Sequence, residues 1–202
     1  MGRQEKPITG PYHRSALAFR LRTIRELAEV TYDGMGEFGE ASAATYKRTA
    51  SGVNVPRLFR VMEFVNTCHH AAPPQALDRL HLASRPHDLH ALWANARMEE
   101  RGNLLLRAPR ARLIANWAEY SLALVILYER AGAPPLREVQ KLAGGAAHLP
   151  LSTLARIVNR QALPADKRQL HVFLLGCRLD EKQLPEWEET WSRLASGRSI
   201  SI

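Results

Sequence analysis

Cys68-His69-His70, with His81, His87 and His90 downstream, is the densest run of metal-ligating side chains in the sequence. Zinc sites use four nitrogen or sulfur ligands at recognisable spacings. No Cys-x-x-Cys pair accompanies these histidines, so a buried core thiol at Cys68 is the better reading, and no metal or other cofactor is expected. The sequence has no phosphate-binding Walker-type loop, no His-Glu-x-x-His and no Gly-x-Ser-x-Gly. Gly34-Met35-Gly36 with Gly39 is glycine-rich but follows no strand, so it lacks the context for nucleotide binding. Glu186, Glu188 and Glu189 read as a solvated face beside Trp187 and Trp191, which pack inward; Trp93 and Trp117 also read as core. No acid–base or nucleophile set emerges, and an enzyme is not expected.

The elements that must position any site are helical. Leu17, Leu21, Ile24, Leu27 and Ala28 recur three or four apart, which predicts an amphipathic helix over residues 15–30. Phe59, Met62, Phe64 and Val65 do the same after Pro56, and Leu89, Leu92, Trp93 and Ala96 form another stripe. The longest helix is predicted from about residue 110 to 131, with Leu113, Trp117, Tyr120, Leu124 and Leu127 on one face. Gly132-Ala133-Pro134-Pro135 stops it, because proline cannot continue a helix interior. Residues 53–55 and 172–173 are too short to argue for strands, so the fold class is all-α. Pro73-Pro74, Gly102-Asn103 with Pro109, and Gly144-Gly145 with Pro150 punctuate the chain; residues 1–12 and 197–202 read as loosely ordered ends.

Length and charge set the class. The 202 residues suit one or two domains. The formal charge of +8 is shared evenly between residues 1–97 and 98–202, so neither half is a basic tail. Arginine far outnumbers lysine, a bias that raises affinity for polyanions and that a GC-rich bacterial genome also produces. No apolar run approaches the roughly 18–20 residues a membrane span requires. Residues 1–11 are polar, without the apolar stretch of a signal peptide. Cys68 and Cys177 are too far apart to form a disulfide framework. The expected location is the cytoplasm.

The chain repeats itself. Residues 44–56 lie over 152–164 without a gap, so Thr45 falls on Thr153, Arg48 on Arg156 and Pro56 on Pro164. An amphipathic helix follows each proline and ends at a cysteine, Cys68 or Cys177; a tryptophan helix comes next, with Trp93 or Trp187 and Trp191. Upstream, residues 21–28 match 124–131. The same order of elements occurs twice, which points to an internal duplication.

At these residues each half resembles the lambda-repressor/Cro-like (XRE-type) helix-turn-helix family, in a divergent tandem form. In the first half the pattern is carried by Thr31-Tyr32, Met35-Gly36, Ser42, Thr45-Tyr46, Arg48, Gly52 and Val55-Pro56. In the second it is carried by Leu136, Val139, Leu151, Thr153-Leu154, Arg156, Val158 and Leu163-Pro164. The likeness covers roughly residues 15–97 and 118–195. Departures are Glu40-Ala41 in the first turn, Gly34, Gly36 and Gly39 as expected weak points of the second helix, Arg160 where glycine is common, and a longer loop at 143–149.

The resemblance implies two helix-turn-helix units, 13–98 and 113–196, joined by a connection at 99–112 and the long helix. It also implies binding of double-stranded DNA, with the second helix of each pair in the major groove. On residues 42–51 it turns Tyr46 and Ala50 to the core and leaves Ser42, Ala43, Ala44, Thr45, Lys47 and Arg48 outward. On residues 151–159 it buries Leu154, Ile157 and Val158 and leaves Leu151, Ser152, Thr153, Ala155, Arg156 and Asn159 exposed, with Arg160 just beyond. Arginine pairs with guanine and asparagine with adenine. Ser152 and Thr153 can bond phosphates, Leu151 can touch only a thymine methyl or a protein, and Arg57 and Arg60 can anchor the DNA backbone. The serine and threonine residues can equally be helix caps. The implied role is a nucleoid-associated bacterial regulator of transcription without a small-molecule effector. The alternative is a protein-interaction or adaptor module on the same scaffold, as a homodimer or with another protein partner.

Overall fold

A computed structural model describes residues 5–197. Residues 1–4 and 198–202, where loose ends were expected, lie outside the described residues. Every regular element among the described residues is an α-helix or a single 3-10 turn. None of these helices is long and apolar enough to cross a membrane. The chain divides into two compact units at Leu104 and Leu105.

The first unit runs α1 (Tyr12–Leu27), α2 (Tyr32–Phe38), α3 (Ala43–Thr49), α4 (Leu58–Ala71), a 3-10 turn (Pro74–Ala76), α5 (Leu77–Ala83) and α6 (Pro86–Glu100). Its core joins Leu17, Leu21 and Ile24 of α1 with Met35, Tyr46, Phe64, Leu89 and Trp93. On α4 the buried stripe starts at Leu58, while Phe59 points to solvent, one residue off the expected register. Helix α1 begins after Pro11, which offers no side-chain cap. Glu99 of α6 takes that role: its carboxylate accepts the backbone N–H groups of His13 (3.1 Å) and Arg14 (3.0 Å). These donors have no partner within their own helix, and a negative charge there complements the helix dipole.

The segment before α1 is fixed, contrary to the expected loose end. Glu5 pairs with Arg22 (2.9 Å) and Arg25 (3.3 Å) of α1 and accepts the Tyr32 hydroxyl of α2 at 2.6 Å. Burial, reinforced by the bond to Glu5, raises the Tyr32 phenol above its ordinary range.

The second unit runs from a 3-10 turn (Ala111–Leu113) through α7 (Trp117–Arg130), α8 (Leu136–Leu142), α9 (Leu151–Val158), α10 (Lys167–Gly176), a 3-10 turn (Glu181–Gln183) and α11 (Leu184–Ala195). Its core joins Tyr120 and Leu124 with Val139, Leu154, Ile157, Phe173 and Trp187. The expected long helix from residue 110 does not form. Asn116 caps α7 by accepting the Glu119 N–H at 2.9 Å, and Glu119 reaches back to the Ala115 N–H at 2.8 Å. This reciprocal capping box sets the helix start, leaving Leu113 upstream and exposed. The longest helix among the described residues is α1, with 16 residues.

The two units share a pattern of backbone bonds at the ends of their first helices. At the end of α1, Ala28, Glu29 and Val30 donate to the carbonyls of Ile24, Glu26 and Arg25; at the end of α7, Ala131, Gly132 and Ala133 donate to those of Leu127, Glu129 and Tyr128. Both are Schellman turns, which need a left-handed residue. Glu29 holds it at φ 54° and Gly132 at φ 86°. After α3 and α9 the assignment reverses, with Gly52 at φ 76° and Arg160 at φ 58°. Among the described residues, the first unit has one helix more than the second.

Candidate nucleic-acid interface

In the first unit, residues 39–42 join α2 to α3. Thr31 caps α2 by accepting the Gly34 N–H (3.1 Å), and Ser42 caps α3 by accepting the Thr45 N–H (3.4 Å). Gly39 lies beyond the end of α2, in extended backbone, so it does not weaken that helix. A Cβ on Gly39 would fall 1.9 Å from the Tyr46 hydroxyl, and one on Gly36 would fall 3.0 Å from the Ala43 nitrogen. These two glycines let the pair close, where the sequence alone suggested loosening.

Tyr46 sets the roll of α3. Its hydroxyl sits 3.0 Å from Thr67 Oγ1, donates to Glu63 at 3.2 Å and accepts the Ala41 N–H at 3.3 Å. With Tyr46, Thr49 and Ala50 buried, Ser42, Ala44, Lys47 and Arg48 face solvent, while Ala43 and Thr45 are half-buried. Lys47 makes no ion pair among the described residues, and the Arg48 guanidinium touches only Thr45 Oγ1, at 3.4 Å. Both cations lie in the last turn of α3. Arg57, exposed at the start of α4, also lacks a side-chain partner among the described residues. Arg60 does not: it is half-buried, pairs with Glu63 and lies over the Phe59 ring at 4.8 Å. Its charge is matched by Glu63 inside the unit.

In the second unit, residues 143–150 join α8 to α9. Gly144 and Gly145 adopt left-handed backbone, and buried Leu149 anchors the loop, its carbonyl accepting the Gln140 side-chain amide at 2.9 Å. Close packing of α10 on α8 requires Gly176, where a Cβ would lie 2.7 Å from Val139 Cγ1. Helix α9 starts after Pro150 with no side-chain cap, so Ser152 and Thr153 do not serve as its N-cap. Leu154 and Ile157 are buried, whereas Val158 is only half-buried, packed at the edge of the core. Ser152, Arg156, Asn159 and Arg160 are exposed; Leu151, Thr153 and Ala155 are half-exposed. Arg156 and Asn159 have no side-chain partner among the described residues, while Arg160 reaches the Ala118 carbonyl at 3.5 Å.

Ser42, Ala44, Lys47 and Arg48 thus share the exposed side of α3, and Ser152, Arg156 and Asn159 that of α9, whereas Arg57 and Arg60 lie at the start of α4 and Arg160 lies just past α9. Compared with protein-family models, curated proteins and solved structures, the chain has no match.

The histidine cluster takes a structural form. Cys68 is buried and its thiol is pushed up to about 12 by burial. The Ser84 hydroxyl donates to the Leu80 carbonyl (2.6 Å), so it accepts from His69 Nε2, 2.7 Å away. The His69 ring packs on His81 with centroids 4.7 Å apart. Among the described residues, no group of three or more His, Cys, Asp or Glu is placed to hold a metal ion.

Three further arginines lie at the start of the second unit. Arg107, Arg110 and Arg112 are exposed around a groove of about 1070 Å³ in the second unit. Their spacing in the sequence was the available signal.

Proposed function

We propose that this chain binds double-stranded DNA through two helix-turn-helix units, α2–α3 and α8–α9, as a nucleoid-associated bacterial regulator of transcription. The observation that carries the reading is the orientation of α3 and α9. Each follows a short helix and a turn, seats its apolar side in a core and presents hydroxyl and cationic groups to solvent. Lys47, Arg48, Arg156 and Asn159 suit base edges, where a good bidentate pair is worth about 1–3 kcal/mol of discrimination. Ser42, Thr45, Ser152, Thr153, Arg57 and Arg160 suit phosphates.

The test is a mobility-shift assay on fragments of the source genome at two salt concentrations. Lys47→Ala/Arg48→Ala and Arg156→Ala/Asn159→Ala should each reduce selective binding about tenfold or more. Wild-type protein without salt-dependent binding would overturn the reading.

A second reading is favoured by one feature of the second unit. Leu151 and Ala155 are half-exposed on α9, and Leu142 of α8 is 42% exposed. An apolar edge of this kind suits a protein partner and would make α9 a docking helix. Leu151→Ser would then abolish partner binding and leave DNA binding unchanged.

A further inference from the structure

The first residues of the second unit carry cations that the fold does not use. The backbone of this segment is fixed. Ala111 and Ile114 are buried, the Leu106 carbonyl accepts from Arg130 (2.7 Å), the Ile114 carbonyl accepts from Arg193 (2.6 Å), and the Arg112 N–H donates to Glu186 (3.0 Å). Its three arginine side chains are different. Arg107, Arg110 and Arg112 are exposed, with no side-chain hydrogen bond or ion pair among the described residues. They line one groove of about 1070 Å³ together with Glu119 and Glu186. Both carboxylates are committed to backbone N–H groups, Glu119 at Ala115 and Glu186 at Arg112. They shape the segment and still leave the arginines in excess.

Arg160, just past α9, reaches the carbonyl of Ala118, the neighbour in sequence of groove-lining Glu119.

We propose that Arg107, Arg110 and Arg112 grip DNA backbone phosphates beside α9, extending the contact of the second unit. This rests on the DNA-binding reading above. An ordered backbone carrying unpaired guanidinium groups suits phosphate contacts, which add affinity without sequence information. Each neutralised phosphate adds about 0.9 to the slope of log K against log salt.

The test compares the full chain with Arg107→Ala/Arg110→Ala/Arg112→Ala, by fluorescence anisotropy on a duplex of mixed sequence over a range of salt. The slope should fall by about 2–3, the preference for the selected site over the mixed duplex should stay unchanged, and the triple lysine variant should keep the wild-type slope. An unchanged melting temperature in the alanine variant excludes unfolding as the cause. If wild type binds the duplex and the alanine variant keeps its slope, this proposal fails while the DNA-binding reading stands. If wild type does not bind the duplex, both fail. If the alanine variant loses binding to polyglutamate but keeps its slope on DNA, the groove serves an acidic protein and the proposal is overturned.

Discussion

The turn at Gly39 crosses Tyr46 so closely that a Cβ at position 39 would lie 1.9 Å from the phenol oxygen. Backbone conformation does not demand glycine there, since the residue is extended. Steric contact does. Gly39→Ala should therefore destabilise the chain by about 1–3 kcal/mol, the usual cost of overpacking. Tyr46→Phe should cost about 1–3 kcal/mol, because the Ala41 N–H loses its acceptor and the Glu63 carboxylate loses a donor. In Gly39→Ala/Tyr46→Phe the closest of the three clashes is removed, while Thr67 Oγ1 and the ring Cζ stay 2.8 Å from the added methyl, so the double variant should be somewhat more stable than the sum of the two single effects. Urea-denaturation midpoints for the four chains check this; strict additivity would refute the contact.

The left-handed turn positions give a reciprocal prediction. Glu29 and Arg160 carry side chains at positive φ where Gly132 and Gly52 carry none. A left-handed L-residue costs about 1–2 kcal/mol, partly offset by the greater freedom of glycine in the unfolded chain. Glu29→Gly and Arg160→Gly should each raise stability by about 1 kcal/mol or less. Gly52→Ala should lower it by more, since its Cβ would also lie 3.0 Å from Ile8 Cγ2. For units of this size about 1 kcal/mol moves the melting temperature by roughly 4–8 °C.

Acid should weaken the first unit through His69. Burial first, then the neighbouring His81 and His70, lower its pKa below the ordinary 6.5. The folded state thus disfavours the charged ring. Stability is fully present above the unfolded value of about 6.5 and is lost as pH falls from there through the lowered folded value. Melting temperature should drop between pH 7.5 and pH 5, and His69→Gln should flatten that drop. An equal drop in the variant would assign the acid sensitivity elsewhere.

Arg57 and Arg60 should differ in their effect on DNA binding. Arg57 has no partner among the described residues, whereas Arg60 is paired with Glu63. Arg57→Ala should lower the salt slope by about 0.9, and Arg60→Ala by much less. Equal losses would mean that Arg60 leaves Glu63 when DNA binds.

What could be read from the sequence was whatever depends on local period. Tyr46 and Ala50 recur four apart, and Leu154 with Ile157 three apart, so the inward faces of α3 and α9 were legible before any coordinates. The supposed long helix shows the limit of period. Leu113 is in helical register with Trp117, yet Asn116 and Glu119 form a capping box between them, and a cap overrides periodicity. Glu5 gave no signal, because its partners Arg22, Arg25 and Tyr32 converge on it only after α1 and α2 pack. The role of Gly39 is hidden for the same reason: glycine propensity is local, and the Tyr46 hydroxyl beside it is a tertiary neighbour.

The last helix of the first unit limits how this chain can be cut. Glu99 caps the start of α1, and the Trp93 indole donates to the Pro56 carbonyl at 2.8 Å, in the link between α3 and α4. A fragment ending after α4 or α5 would keep all of α3 but lose both clasps, one at the entry to the unit and one at the exit from α3. The shortest autonomous piece that presents Lys47 and Arg48 in their native setting therefore extends through Glu100, and its lower boundary, set by Glu5, lies ahead of the first helix.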